Sequence, residues 1–418
     1  MEDSIATAKR TIIAGLDVGS TKIATCVGQF QDGIVDIIGL GYSPSSGTRK
    51  GMVVDIEETV SSISQALEEA EQMCGAPITT AVIGITGPHI QSTISKGVIA
   101  ISRADGEISE HDVDRVIQAA KVLPNTPNRD ILHIIPRQFT VDSADGVSDP
   151  VGMSGIRLET EAVIISCATM AIKNLTKCVF QSGIDIQEIV YSPLATAKAL
   201  ITKKQSELGV VLLDIGAQTT TLTIFEEGDV LHTAAIPLGS NNITNDIAIG
   251  LRTSIDTAEK IKISHGAAKA DQYNDKDQLD LSTLSDYDNE TVSLKYVSEI
   301  IEARLNEILL MVRDELRNVG RDGLLPAGVV LTGGGCQISG LTDLVKETLR
   351  LPASIGRPQL PLSGMVDKLN DPLYSTSVGL MMWNVDNHTS LKPNNRADFT
   401  KVGAVVDKAR GFFKQFIP

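Results

Sequence analysis

The stretch Ile12-Ile13-Ala14-Gly15-Leu16-Asp17-Val18-Gly19-Ser20-Thr21-Lys22 decides the fold, because a second stretch echoes it 197 residues later. That echo is Gly209-Val210-Val211-Leu212-Leu213-Asp214-Ile215-Gly216-Ala217-Gln218-Thr219. Each copy is an apolar run, an Asp-x-Gly turn and a second apolar run. Each continues through an acidic turn, Gln31-Asp32-Gly33 or Glu226-Glu227-Gly228-Asp229, to a third apolar run near Gly39-Leu40-Gly41 or Pro237-Leu238-Gly239. Chance likeness of two β-meanders is the bland alternative. The repeat predicts two related domains facing each other across a cleft.

Around this repeat, short β-branched runs alternate with longer helical patterns, which reads as α/β architecture. Strands are expected at residues 11–16, 23–27, 35–40, 80–86, 162–167, 209–213, 221–225 and 328–331. One helix is expected over 53–73. Another starts at Ser109, where Ser109-Glu110-His111-Asp112 reads as a capping box. A third, over 298–319, places Ile301, Leu305, Ile308, Leu309, Val312 and Leu316 on one face. Residues 268–291 are crowded with polar side chains and read as a surface excursion. Residues 384–400 lack periodicity and read as a flexible linker.

Composition narrows the function. The chain has 418 residues, 42% hydrophobic and 21% charged, which suits two or three soluble globular units. Its net charge of −15 has the wrong sign for a surface that grips nucleic acid throughout. Five cysteines without a C-x-x-C pair suggest neither a disulfide framework nor a zinc site, and fit a reducing cytoplasm. Six histidines show no H-x-x-x-H or H-E-x-x-H spacing, so none is credited with metal or catalysis. The acidic start and the break at Asp17 argue against a signal peptide. No stretch approaches the ~18 uncharged apolar residues of a membrane span.

Chemistry concentrates in the turns. An Asp-x-Gly turn places a carboxylate at the end of a buried strand beside outward-pointing N–H groups. Such a concavity binds anions, and the Asp can hold Mg²⁺ directly or through water. Ser20, Thr21 and Lys22 add two hydroxyls and an ammonium suited to phosphate oxygens. A lone Asp-x-Gly is commonly just a hairpin; two in a repeated context favour function. Val329-Val330-Leu331-Thr332-Gly333-Gly334-Gly335 is a third piece, a strand ending in three glycines ahead of a helix expected from Ile338. Glycines there let the backbone approach a ligand closely. No G-x-x-x-x-G-K-[ST] occurs, and G-x-G-x-x-G fails at Ile338, so the cleft is neither a P-loop nor a dinucleotide site.

These three segments, in this order and spacing, resemble the first phosphate, second phosphate and adenosine segments of the actin, Hsp70 and sugar-kinase superfamily. Within it the chain is similar to the FtsA family of bacterial cell-division proteins. The likeness runs from about Thr11 to Trp383 and resumes at the last helix. Its specific blocks are His133 to Pro136 through Asp149 to Arg157, and Tyr374 to Leu380.

The resemblance implies actin-like duplicated domains around a nucleotide cleft. Subdomain 1A would occupy 11–87 and 163–205, with an inserted 1C at 88–162. Subdomain 2A would occupy 206–243 and 297–364, with 2B at 244–296, and residues 365–383 would return to 1A. The implied cofactors are ATP and Mg²⁺. Asp17 and Asp214 would serve the metal. Gly19, Ser20, Thr21 and Lys22 would hold phosphate, as would Gly216, Ala217, Gln218 and Thr219. Glu259 and Lys262 would lie by the ribose and base, with Gly333, Gly334 and Gly335 under the adenosine. At i,i+3, Glu259 and Lys262 could equally be a surface pair.

Gln218 stands where many superfamily members carry glycine, which alters the second phosphate turn. The segment Val190-Tyr191-Ser192-Pro193-Leu194-Ala195-Thr196 contains no carboxylate or amide to orient water, and Glu188 upstream is a weak substitute. The catalytic residue is unassigned, and the expectation is ATP binding with at most slow hydrolysis. Implied partners are further copies of the chain in filaments, the tubulin-like protein FtsZ through its C-terminal peptide at 2B, and other division proteins. A small-molecule kinase and a pilus-assembly actin-like adaptor of the same superfamily remain alternatives.

The last segment carries an independent signal. Val402, Val405, Val406, Ala409, Phe412, Phe413, Phe416 and Ile417 follow helical spacing and fall within an arc of about 140°. Lys401, Lys408, Arg410 and Lys414, against Asp407, give residues 401–418 a charge of +3. Docking on the body is the bland reading. The linker, the charge reversal and three phenylalanines favour an interfacial helix on an anionic membrane. Full burial of the larger apolar side chains at ~1.5–3 kcal/mol each, half realised, gives a gross ~5–10 kcal/mol. Such an anchor is reversible singly and firm when linked subunits share it. The expected location is the cytoplasmic face of the inner membrane at the division site.

Overall fold

A computed structural model describes residues 11–31, 34–103, 105–121, 127–284, 290–359, 362–383 and 385. The expected linker, apart from residue 385, and the expected helix at 401–418 lie outside the described residues.

The first half opens with an antiparallel meander, β1 (Thr11–Val18), β2 (Lys22–Gln31) and β3 (Ile34–Pro44). A small hairpin of β4 (Thr48–Arg49) and β5 (Met52–Val53) leads into α1 (Ile56–Cys74). The Asp55 carboxylate accepts the Glu58 N–H at the start of α1, and Gly75 ends it at φ 69°. Ile63, Ala66, Leu67 and Ala70 form its buried stripe. Next, β6 (Thr80–Ile85) lies parallel to β1.

The chain then departs into β7 (Ile90–Ala100), α2 (Glu110–Ala120), β8 (Arg129–Val141), β9 (Ala144–Val147) and β10 (Arg157–Ala168). These strands form a separate sheet in the order β7-β10-β8-β9. The capping box at Ser109 is present, with the Asp112 carboxylate accepting the Ser109 N–H at 3.0 Å. Val113, Val116 and Ile117 of α2 pack on Phe139 and Leu158 of the sheet. The chain returns through α3 (Thr169–Gln181) and β11 (Asp185–Tyr191), then crosses through α4 (Ser192–Leu200) and α5 (Lys203–Leu208).

The second half repeats the plan with β12 (Val210–Ile215), β13 (Thr220–Glu226) and β14 (Asp229–Ile236). Helices α6 (Ser240–Leu251) and α7 (Ile255–His265) follow, then the short pair β15 (Gln278–Asp280) and β16 (Thr291–Ser293). After these come α8 (Leu294–Asn318), β17 (Val329–Thr332), α9 (Leu341–Leu349) and β18 (Ala353–Ile355). The chain finally re-enters the first half as β19 (Leu362–Gly364) and α10 (Ser375–Met382).

The duplication is explicit in the sheets. One has the order β11-β6-β1-β2-β3-β19 and the other β14-β13-β12-β17-β18. In each, an antiparallel meander is extended by parallel strands beside its first member. Register agrees as well: Val18 pairs with Ile23 and Ile215 with Thr220, so both first hairpins have four-residue loops.

Three helix starts differ from expectation. α1 begins at Ile56 rather than at residue 53, because Met52–Val53 pairs as β5 and Asp55 caps the helix. α8 begins at Leu294 rather than Ser298, because Ser293 caps it and Leu294 and Val297 extend its buried face. The helix expected from Ile338 begins at Leu341, because Gly334–Gln337 forms a 3₁₀ turn and Gly340 takes φ 77° just before it.

The halves share a core through α4 and α10. Buried Ile13 and Cys26 of the first sheet and Leu212 and Val330 of the second belong to one cluster with Leu194, Val378 and Met381. The two helices nearly touch backbone to backbone: a Cβ on Gly379 would lie 1.9 Å from the Ala195 carbonyl oxygen. The Thr196 and Thr376 hydroxyls hydrogen-bond at 3.0 Å in the same contact.

Candidate functional site

Both Asp-x-Gly hairpins close by the same bond. The Gly19 N–H donates to the Lys22 carbonyl and the Gly216 N–H to the Thr219 carbonyl, each at 2.9 Å. Space demands glycine at both: a Cβ would stand 2.8 Å from the Lys22 oxygen and 2.9 Å from the Thr219 oxygen. The hairpins therefore deliver Asp17 and Asp214 to equivalent strand ends. Asp17 lies opposite Gly84 of β6, and Asp214 opposite Thr332 of β17.

Electrostatics ties the two carboxylates together. Asp17 is buried and accepts from Lys22 Nζ at 3.1 Å; the same ammonium donates to the Leu373 carbonyl. Burial pushes the Asp214 carboxyl up to about 6, the Asp17 charge pushes the same way, and the Lys22 ammonium opposes both. A cation between the aspartates would relieve this strain. Among the described residues no group of three or more His, Cys, Asp or Glu could hold a metal. Two carboxylates suit Mg²⁺, which retains waters and takes further oxygens from phosphate. The donor set fits an ion that arrives with its phosphate ligand.

The second turn is braced from behind by α6. Its first amides, Ser240 and Asn241, donate to the Gly216 and Ala217 carbonyls at 2.9 and 2.7 Å. Lys262 of α7 is buried against the same helix, donating to Thr244 Oγ1 at 2.8 Å, to the Ser240 carbonyl at 3.3 Å and to Glu259 at 2.6 Å. Thr244 in turn donates to Glu259 at 2.5 Å. The surface-pair alternative therefore does not describe Lys262. Glu259 keeps a partly exposed carboxylate.

The three glycines after β17 differ in what they allow. Gly333 has φ 81°, and a Cβ there would stand 2.2 Å from Asp214 Oδ1. Gly335 abuts Ile215, whereas Gly334 is exposed with open space around its Cα. The loop is tied to the return segment, since Gln337 Nε2 donates to Asp371 Oδ1 at 3.0 Å.

Sequence reasoning missed the β4–β5 hairpin. Thr48 Oγ1 donates to the Gly19 carbonyl at 2.8 Å, the Gly51 N–H to Ser20 Oγ at 3.0 Å, and the Lys50 N–H to Gln218 Oε1 at 2.8 Å. It thus touches both Asp-x-Gly turns. The available signal was Lys50-Gly51 between two short β-runs: both take positive φ, 49° and 74°, as a two-residue hairpin turn requires. Leu373, the second acceptor of Lys22, was also missed.

The central segment joins the halves without offering a carboxylate. Tyr191 is buried, its N–H donates to His133 Nε2 at 2.9 Å, and its hydroxyl hydrogen-bonds Thr233 of the second sheet at 2.8 Å. Residues Ser192–Leu200 are all buried. Glu188 is half-buried on β11. Cys26, Cys167 and Cys336 are buried free thiols; burial pushes the latter two up to about 12, as befits small core residues.

Two sheets of matching order, with paired Asp-x-Gly hairpins and a glycine-lined loop at their facing strand ends, define an actin-like protein. Solved structures share the fold: the PilM–PilN type IV pilus biogenesis complex at TM-score 0.66 and 16% identity, over 89% of this chain and 98% of that one. MreB5 of Spiroplasma citri bound to ADP follows at 0.52 and 13%, over 89% and 95%. Curated relatives are nearer in sequence. Cell division protein FtsA of Pseudomonas aeruginosa is 39% identical over 373 residues, 89% of either chain. That of Neisseria meningitidis is 37% identical over 401 residues, 96% of this chain and 95% of its own. The model for cell division protein FtsA matches residues 211–379, and that for the SHS2 domain inserted in FtsA matches 87–166, which contains the separate sheet up to Ser166. The chain belongs to the FtsA family of actin-like cell-division proteins.

Proposed function

We propose that this chain binds Mg²⁺-ATP in the cleft, assembles into filaments and tethers FtsZ filaments to the inner face of the cytoplasmic membrane. The observation that carries the nucleotide reading is the pair of identically closed hairpins, Gly19 on Lys22 and Gly216 on Thr219, with Asp17 and Asp214 at their bases. Turn amides, Ser20, Thr21 and Lys22 hold one side of the phosphates; Gly216, Ala217, Gln218 and Thr219 hold the other. Gly333 to Gly335 support the adenosine, with Glu259 and Lys262 beside the ribose and base. A bound Mg²⁺ would neutralise phosphate charge, and Asp17 and Asp214 would hold it directly or through water.

Hydrolysis is slow in this reading. The buried segment Ser192–Leu200 offers no carboxylate to a water, and the Gln218 side-chain oxygen Oε1 already accepts the Lys50 backbone N–H. The protein acts chiefly as a scaffold. Subdomain 1C corresponds to 88–162 and 2B to 244–296, the latter receiving the FtsZ C-terminal peptide. The terminal face of Phe412, Phe413 and Phe416, flanked by Lys408, Arg410 and Lys414, supplies the lipid contact. No described helix is long and apolar enough to cross a membrane.

Co-sedimentation with anionic liposomes tests the reading, comparing the full chain with one ending at Asn384, with and without ATP. Only the full chain should pellet, and ATP should increase its yield. Equal pelleting of both would remove the anchor. A yield indifferent to ATP would remove the link between nucleotide and assembly.

A further inference from the structure

The β4–β5 hairpin belongs to the first half, yet its tip bonds to both phosphate-type turns. Gly51 is held on Ser20 and Lys50 on Gln218, while Thr48 anchors the base to Gly19. The hairpin cannot sit further back: a Cβ on Gly51 would lie 2.0 Å from the Thr86 carbonyl oxygen. Its tip is cationic. Arg49 and Lys50 are exposed, and neither side chain forms a hydrogen bond or ion pair with any described residue. Lys22, which the nucleotide reading sets on the phosphates, already bonds Asp17 and Leu373, and Lys262 bonds Glu259, Thr244 and Ser240.

We propose that Lys50 reads the terminal phosphate of a nucleoside triphosphate, and that Gln218 positions it by holding its backbone against the second turn. The inference rests on the nucleotide reading above and deepens it. Adenosine held over Gly333 to Gly335 puts the terminal phosphate furthest along toward the gap between the two turns, which this tip spans. A free ammonium there forms a charge-assisted bond that a diphosphate cannot reach. The residue that departs from the superfamily's glycine thus gains a role: its side chain fastens the sensor of one half to the phosphate turn of the other. A triphosphate then pulls the halves onto a common contact, and a diphosphate leaves that contact to the Lys50–Gln218 bond alone.

The test measures ATP and ADP affinities of the full chain by calorimetry with Mg²⁺ present. Lys50→Gly removes the ammonium yet accepts the positive φ without strain, so the turn survives. It should weaken ATP roughly tenfold and leave ADP within about twofold, the size expected for one charge-assisted bond. Lys50→Arg should restore most of the preference, and Gln218→Ala should reduce it without abolishing ADP binding. An unchanged ATP-to-ADP ratio in Lys50→Gly, or equal loss of both nucleotides, overturns the sensor while leaving the cleft assignment intact. A wild-type chain that binds neither nucleotide overturns the cleft assignment itself, and the sensor with it.

Discussion

Gly333 lies against Asp214 so closely that a side chain of one carbon would stand 2.2 Å from the carboxylate oxygen Oδ1. The glycine-rich loop after β17 and the aspartate one residue before the end of β12 thus form one surface, although Gly333 lies 119 positions after Asp214. The contact follows from parallel pairing of the two strands, which sets Asp214 opposite Thr332 and leaves the next residue of β17's chain beside the carboxylate.

Gly333→Ala should therefore damage the site and the fold together. The φ of 81° disfavours alanine, and the methyl group must displace Asp214 or the loop. A loss of about 2–3 kcal/mol in denaturant unfolding is expected, with ATP affinity reduced. Wild-type stability would mean that the loop moves freely, contrary to this packing.

Asp214 gives a pH signature. Its carboxyl is raised to about 6 in the folded chain, above the ordinary 3.8, so the unfolded chain releases this proton first. Folded stability present below pH 3.8 is lost as pH climbs toward 6, by up to about 3 kcal/mol. Asp214→Asn should remove that loss: without ligand the variant melts higher than wild type at pH 7.5 and shows less pH dependence between 4 and 6. It should also bind Mg²⁺-ATP more weakly. A variant less stable than wild type at pH 7.5 would contradict the desolvation argument.

Gly379→Ala probes the joint between the halves. Its methyl group would meet the Ala195 carbonyl at 1.9 Å, and α4 and α10 carry core residues shared by both sheets. A destabilisation of about 3 kcal/mol or failure to accumulate folded protein is expected. Gly334→Ala, where nothing lies within 4 Å, should be near neutral for folding and serves as the control. Similar melting temperatures for the two variants would refute the close-contact account.

If residues 401–418 form the proposed helix, Phe413 falls near the centre of its apolar arc, and Phe413→Glu puts charge where hydrocarbon should be. Monomers should leave anionic vesicles while ATP binding persists, and strengthened self-assembly should partly restore attachment by multiplying anchors. High salt should weaken wild-type binding only in part, because the apolar contribution is not screened. Unchanged vesicle binding combined with a lower melting temperature would instead place the helix on the folded body.

What the sequence determined by itself is local or periodic. The repeated Asp-x-Gly hairpins, the Ser109 capping box and the stripe from Ile301 to Leu316 depend on residues a few positions apart, whose spacing fixes which face they share. Repetition then implied two halves, and the equal hairpin registers agree with it. The helix boundaries after Ser293 and Gly340 were less legible, since a cap and one left-handed glycine shift them by a turn.

Only the tertiary structure decided which residues distant in sequence meet. Lys50 finds Gln218 over 168 residues and Lys22 finds Leu373 over 351, while Lys262 becomes buried because α7 packs on α6. No periodicity encodes such pairs, because they arise where separately folded elements are brought together by burial of the core that α4 and α10 share. The chemistry of each turn was written locally; the partner each turn faces was settled by packing.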